Sequence, residues 1–159
     1  MTKKILVTGS AGFIGYHLCN SLLNDGHIIM GIDNLNNYYD VSLKRNRLAI
    51  LSSKHNFIFR EIDISDKKLL TKSFQSFIPD QVVNLAAQAG VRYSIENPYA
   101  YMESNLIGFL NIIELCRHND VEGLIYASSS SVYGANTKIP FRTDDQTDQP
   151  IALYGATKK

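Results

Sequence analysis

The sequence has almost no net charge, two cysteines and no long apolar run, and each shortage removes a class of function. Lys and Arg total 16 against 15 Asp and Glu, a formal +1 over 159 residues. Without a basic surplus to neutralise phosphates, nucleic-acid binding loses its electrostatic basis. The one basic cluster, Lys44, Arg45 and Arg47, reads as a solvated helix face. No stretch approaches the ~20 apolar residues that span a bilayer. The opening Met1-Thr2-Lys3-Lys4-Ile5-Leu6-Val7 has too short an apolar run for a signal peptide. A cytoplasmic location is expected. Cys19 and Cys116 lie far apart, each inside a helix-like pattern. They read as small buried hydrophobes in a reducing compartment, not as a disulfide. The histidines (His17, His27, His55, His118) are scattered, so no metal is expected.

What is present is globular. Hydrophobic residues make up 45% and charged residues 19%, in a length that suits one domain. Short β-branched runs alternate with helical patterns. Ile5-Leu6-Val7, ending at Thr8-Gly9, reads as a strand buried on both faces. Ile14, Leu18 and Leu22 recur every four residues, and Gly26 stops that helix. Ile28 to Ile32 is a second strand, broken by Gly31 and ending at Asp33; a polar helix covers Val41 to Leu51. Phe57-Ile58-Phe59 with Ile62 makes a third strand. Ser65 or Asp66 caps a helix holding Leu69, Leu70, Phe74 and Phe77. Gln81 to Leu85 and Gly123 to Ala127 supply two more strands, with a long helix from about Pro98 to Arg117 between them.

This alternation predicts an α/β fold, a Rossmann-type doubly wound parallel sheet ordered 3-2-1-4-5 and cut off after the fifth strand. The long helix carries Leu106, Phe109, Leu110, Ile112, Ile113 and Leu115 around much of its circumference. One sheet-facing stripe cannot bury them all. A homodimer or oligomer packed through Pro98–Arg117 is expected.

Gly9-Ser10-Ala11-Gly12-Phe13-Ile14-Gly15 joins the first strand to the first helix. Glycines there permit a tight turn, close approach of backbone to a pyrophosphate, and close helix–strand packing. The helix N-terminus adds free N–H groups and a partial positive charge. The first gap is one residue wider than in Gly-x-Gly-x-x-Gly. Asp33, about twenty residues on, stands where a carboxylate accepts from an adenosine ribose diol and repels a 2′-phosphate, which favours NAD over NADP. It can equally form a turn with Asn34. Asp63-Ile64 after the third strand reads either as an adenine contact or as a helix-leading turn.

Four motifs occur in order: Thr8-Gly9-x-x-Gly12-x-x-Gly15, Asn84-Leu85-Ala86-Ala87, Ser128-Ser129-Ser130-Ser131-Val132-Tyr133-Gly134 and Tyr154-Gly155-Ala156-Thr157-Lys158. Together they resemble the first half of an extended short-chain dehydrogenase/reductase, within the NAD-dependent epimerases and dehydratases. Asp33 to Asp40, Ala87 to Ser94 and Gly134 to Lys138 are most similar to UDP-glucuronate 4-epimerases. The resemblance implies NAD as cofactor, a UDP-sugar as substrate and a place in surface polysaccharide precursor synthesis. It implies cofactor contacts from Gly9, Ala11, Gly12, Phe13, Ile14, Gly15, Asp33, Asn34, Asp63, Ile64, Leu85, Ala86, Ala87 and Asn105, the last largely by fixing geometry.

Tyr154 and Lys158 are four apart, on one helix face. A nearby ammonium favours phenolate over phenol, so Tyr154 can take a hydroxyl proton from a sugar. By resemblance Lys158 also holds the nicotinamide ribose, and Ser129 is the catalytic hydroxyl. Ser130 and Ser131 read as donors to a substrate carboxylate or as turn and cap hydroxyls. Arg92 reads as an anion contact or a surface arginine. Related dehydratases and decarboxylases carry acidic residues where Ser130 and Ser131 stand, so epimerase chemistry is the expectation. The family's later strands and substrate domain lie beyond this chain, so turnover by the 159 residues alone is not expected. Isolated helices below about 12 residues rarely persist, so Tyr154 and Lys158 are expected to be loosely held.

Overall fold

The apolar runs become strands that pair in parallel. The computed structural model describes all 159 residues. Its strands are β1 (Lys4–Thr8), β2 (Ile28–Asp33), β3 (Phe57–Glu61), β4 (Gln81–Asn84) and β5 (Gly123–Tyr126), in the order β3-β2-β1-β4-β5. This is the doubly wound order that the alternation predicted. Gly31 does not break β2. It pairs with Val7 and Phe59, and a Cβ there would meet Ser10 Oγ at 2.6 Å and the Phe57 ring at 2.7 Å.

The helices are α1 (Phe13–Asn24), α2 (Val41–Ser52), α3 (Lys67–Phe77), α4 (Tyr93–Glu96), α5 (Pro98–Tyr101), α6 (Phe109–His118) and α7 (Leu153–Ala156). Successive strand residues point to opposite faces, so Val7 joins one core and Leu6 the other. The first core packs Cys19, Leu23, Leu48 and Leu51 of α1 and α2; the second packs Leu70, Phe74, Phe77 and Ile112 of α3 and α6. Each fully buried Leu, Ile or Phe contributes about 1.5–3 kcal/mol, so helices on both faces hold the sheet.

Three local expectations change. The inward stripe of α1 is centred on Gly15, Cys19 and Leu23; Leu18 and Leu22 pack half-buried beside it, and Ile14 is exposed. Gly15 sets that rotation: a Cβ on it would lie 2.1 Å from Gly9 O, so its bare backbone faces the strand and Ile14 swings outward. In α2 the basic cluster divides. Arg45 is solvated, Lys44 is buried with Leu48 and Leu51, and Arg47 reaches the Ala11 carbonyl at 3.3 Å. The long helix runs from Pro98 to His118, but its middle, Met102–Gly108, is π-helical, a wide turn often found at functional sites. Its inner side buries Tyr101, Asn105, Gly108 and Ile112, while Met102, Leu106, Leu110 and Ile113 are exposed. Of the two proposed caps, Asp66 starts α3, accepting from Leu69 N at 3.0 Å.

Candidate active site

The carboxyl ends of the central strands and the first turn of α1 enclose a cleft of about 330 Å³. On one side lies the glycine turn. Gly9 takes φ +69°, open to glycine without strain, and a Cβ there would meet Ala86 N at 2.9 Å. Gly12 caps α1 without a side-chain bond, and the first bond of the helix is Tyr16 N–H to Gly12 O. The N–H groups of Phe13, Ile14 and Gly15 are left without protein acceptors at the positive end of a helix. That donor set fits a pyrophosphate.

At the other end Asp33 is buried and already engaged. Its Oδ2 accepts from Ala11 N at 3.1 Å and its Oδ1 from Leu35 N at 2.9 Å, while Lys44 Nζ stands 3.6 Å from Oδ1. Asp33 therefore forms the turn and faces the cleft at once. Asn34 Nδ2 donates to Asp63 Oδ2 at 2.7 Å, and Asp63 Oδ1 accepts from Ser65 N and Oγ. Burial would push the Asp63 carboxyl up, but these donors outweigh it and hold it below the ordinary carboxylate value. Asn111 Nδ2 fixes Ile64 O at 3.0 Å. Leu85 and Ala86 close the floor, both donating N–H to Thr8 Oγ1, which in turn donates to Asn84 Oδ1 at 2.7 Å. Asn84 thus acts as a buried hydrogen-bond acceptor at the end of β4.

Twelve of the residues singled out in the sequence line this cleft: Gly9, Gly12, Phe13, Ile14, Gly15, Asp33, Asn34, Asp63, Ile64, Leu85, Ala86 and Ala87. Ala11 lies behind it, wholly buried. Sequence reasoning missed Lys44, Gln88, Ser104, Tyr38 and Tyr39 on its walls. Lys44 had a signal, since it shares the i, i+4, i+7 stripe of Leu48 and Leu51.

A second cleft of about 170 Å³ adjoins the first, sharing Ala86 and Ala127, and is lined by Asn105, Thr157 and Lys158. Here the expectation of a loose chain end is corrected. Asn105 Oδ1 accepts from Gln88 N at 2.8 Å, and its Nδ2 donates to Gln88 O and to Thr157 Oγ1 at 3.0 Å. Ser128 Oγ donates to Lys158 O at 2.8 Å, and Lys158 Nζ to Ala127 O at 2.9 Å. Burial pushes the Lys158 ammonium pKa down. Gly155 fits under Ser131, whose carbonyl a Cβ would approach to 2.6 Å. The Tyr154 ring meets Tyr101 edge-on at 6.0 Å, and Tyr101 donates to Ala89 O at 2.8 Å.

The serine run forms a short 3₁₀ turn, Ser130–Tyr133. Ser129 caps it, accepting from Ser131 N at 3.2 Å with its hydroxyl 3.2 Å from Ser131 Oγ. Ser130 and Arg92 are exposed.

Residues 5–159 match the family described as NAD dependent epimerase/dehydratase. The chain belongs to that family. Protein CapI of Staphylococcus aureus is 56% identical over 156 residues, covering 98% of this chain and 46% of that protein. UDP-glucuronate 4-epimerase 2 of Arabidopsis thaliana is 52% identical over 157 residues, covering 98% and 36%. A crystal structure of UDP-glucuronic acid 4-epimerase from Bacillus cereus, with UDP-glucuronic acid and NAD, superposes with a TM-score of 0.87 at 36% identity, covering 98% of this chain and 48% of that one. The chain thus spans about half the length of its bacterial relatives, and less of the plant one. Members of this NAD-dependent epimerase family need a dinucleotide cradle, and the unpaired N–H groups of α1 fit NAD. No helix is long and apolar enough to cross a membrane.

Proposed function

We propose that these residues are the cofactor-binding part of a UDP-glucuronate 4-epimerase. The observation that carries this reading is the seat of Lys158, bonded to Ala127 where the two clefts meet, with Tyr154 four residues before it. Bound NAD supplies a reversible hydride acceptor. Tyr154 Oη takes the proton of the sugar C4 hydroxyl and returns it after the ketone has turned its other face. Lys158 holds the nicotinamide ribose, and Ser129 holds the reacting oxygen against Tyr154. Ser130 and Ser131 give the substrate carboxylate neutral donors. Oxidation at C4 makes a β-keto acid prone to lose CO₂, so an epimerase must hold that carboxylate in an unproductive orientation. Arg92, an exposed cation, is an anion contact for the substrate, and the product serves surface polysaccharide precursor synthesis. The 159 residues alone bind NAD without turnover, because positioning supplies a large share of the acceleration, up to ~7–11 kcal/mol, and the relatives are about twice as long.

A chimera that continues this chain with the remainder of the Bacillus cereus enzyme tests the reading. It is expected to interconvert UDP-glucuronate and UDP-galacturonate, and Tyr154→Phe to abolish that. A chimera that folds and binds NAD but leaves UDP-glucuronate unchanged overturns the proposal.

A further inference from the structure

Helix α7 and the ring of Tyr154 are fixed by separate means. The backbone is pinned by Asn105, which donates to Thr157 Oγ1, and Thr157 Oγ1 donates in turn to Tyr154 O at 2.9 Å. Those bonds do not choose the direction of the Tyr154 side chain. A helical backbone leaves more than one χ1 well open, and a switch between wells swings the hydroxyl several ångströms. The ring meets one aromatic neighbour, Tyr101, edge-on with centroids 6.0 Å apart and planes at 74°. Tyr101 is wholly buried at the end of α5, and its hydroxyl donates to the carbonyls of Ala89, at 2.8 Å, and Gly90. Turning that ring would leave the buried hydroxyl without partners, which is costly. Ala89, with Ala87 and Gln88, lines the larger cleft. Burial pushes the Tyr101 phenol up to about 12, with Tyr38, Tyr154 and Tyr93 adding to the rise. Near neutral pH it therefore puts no negative charge beside Tyr154.

We infer that Tyr101 is a positioning residue: its ring selects the side-chain rotamer of Tyr154, and its hydroxyl anchors that ring to the loop walling the cleft. The inference rests on Tyr154 as the group that moves the C4 proton. The long helix then grips the reacting end twice from one face. Asn105 joins Gln88 to the backbone of α7, and Tyr101 joins Ala89 and Gly90 to the ring that α7 carries.

The test is NMR of the 159-residue chain with ring-¹³C tyrosine, in which the Tyr154 signal, one of nine, is the one lost in Tyr154→Phe. Wild type is expected to show a nuclear Overhauser contact between the Tyr101 and Tyr154 rings and a ring-current shift at Tyr154. Tyr101→Leu should move that signal to the averaged position of a free tyrosine, while hydrogen exchange across 153–158 stays as in wild type. Tyr101→Phe, which keeps the ring, should recover most of the shift. A Tyr154 signal already averaged in wild type overturns the inference whether or not the variants fold, as does an unchanged signal in Tyr101→Leu. Quickened exchange across 153–158 in that variant would mean that Tyr101 supports the helix and not the ring, and overturns it too. In the chimera described above, Tyr101→Leu should lower kcat about tenfold or more with KM unchanged, since small misplacements of a reacting group are costly. Recovery in Tyr101→Phe is expected, and an unaltered kcat in Tyr101→Leu counts against the inference. A wild-type chimera without turnover overturns the epimerase reading instead, and the NMR result still decides on Tyr101.

Discussion

Ser10 sits inside the glycine turn with its side chain wholly buried and its hydroxyl without a partner. A buried hydroxyl that makes no hydrogen bond costs free energy, and its removal leaves space no larger than an oxygen atom. Ser10→Ala is therefore expected to raise stability by about 1 kcal/mol, read as a higher urea midpoint at unchanged slope. Asp63 is the opposite case, a part-buried carboxylate satisfied by Ser65 and Asn34. Its lowered pKa stabilises the fold above the ordinary carboxylate value, and that contribution is lost as pH falls through the lowered value. The deficit of Asp63→Asn should then be largest near neutrality and shrink below about pH 4. Urea midpoints of the two proteins across that range check the sign; a deficit independent of pH would show that the charge is not what matters.

The strands were legible because a parallel sheet covered on both faces leaves uninterrupted apolar runs, as at Ile5 to Val7 and Ile28 to Met30. The glycine turn, Asp33 and Asp63 were legible because chemistry at a strand end demands particular residue types. What escaped was rotation and long-range partnering. Periodicity chose Ile14 for the inward stripe of α1, whereas backbone contact at Gly15 decides how the helix turns. Charge alone placed Lys44 in solvent, although its spacing from Leu48 and Leu51 carried the opposite message. The hold on α7 was invisible to length arguments, because it comes from Asn105, 52 residues before Thr157. Asn105→Ala strands the Gln88 N–H and carbonyl and releases Thr157. Leaving a buried polar group unsatisfied costs about 1–3 kcal/mol. Hydrogen exchange should quicken at Gln88 and across 153–158 and stay unchanged in β1 and β2. Uniform quickening would show that Asn105 supports the whole sheet.

Seen whole, the molecule is unevenly covered. The sheet-facing side of the long helix is closed, but Met102, Leu106, Leu110 and Ile113 face outward, with Ile95 and Tyr99 also exposed near its start. A contiguous apolar face of this kind favours association. The expected state is a homodimer or higher oligomer packed through Pro98–Arg117, as the helix composition suggested. Leu106→Glu with Leu110→Glu should dissociate it without lowering the thermal midpoint of the fold. Light scattering that finds wild type monomeric at high micromolar concentration would remove this idea.

The stitching around the glycine turn has a thermodynamic consequence. Ala11 is tied to Asp33 through its N–H and to Arg47 through its carbonyl, and Gly9 and Gly15 are locked against each other. The cradle is thus ordered when the chain folds, not when the dinucleotide arrives, so binding carries little entropy cost for arranging it. A site that had to fold around its ligand would bury 1,000–3,000 Å² or so and show a correspondingly large negative heat-capacity change. Here that change should be small, on the scale of the apolar surface of the cleft alone. Titrations with NAD between about 10 and 35 °C, below the midpoint of about 45–65 °C usual for a domain, would reveal it as binding enthalpies that barely drift with temperature.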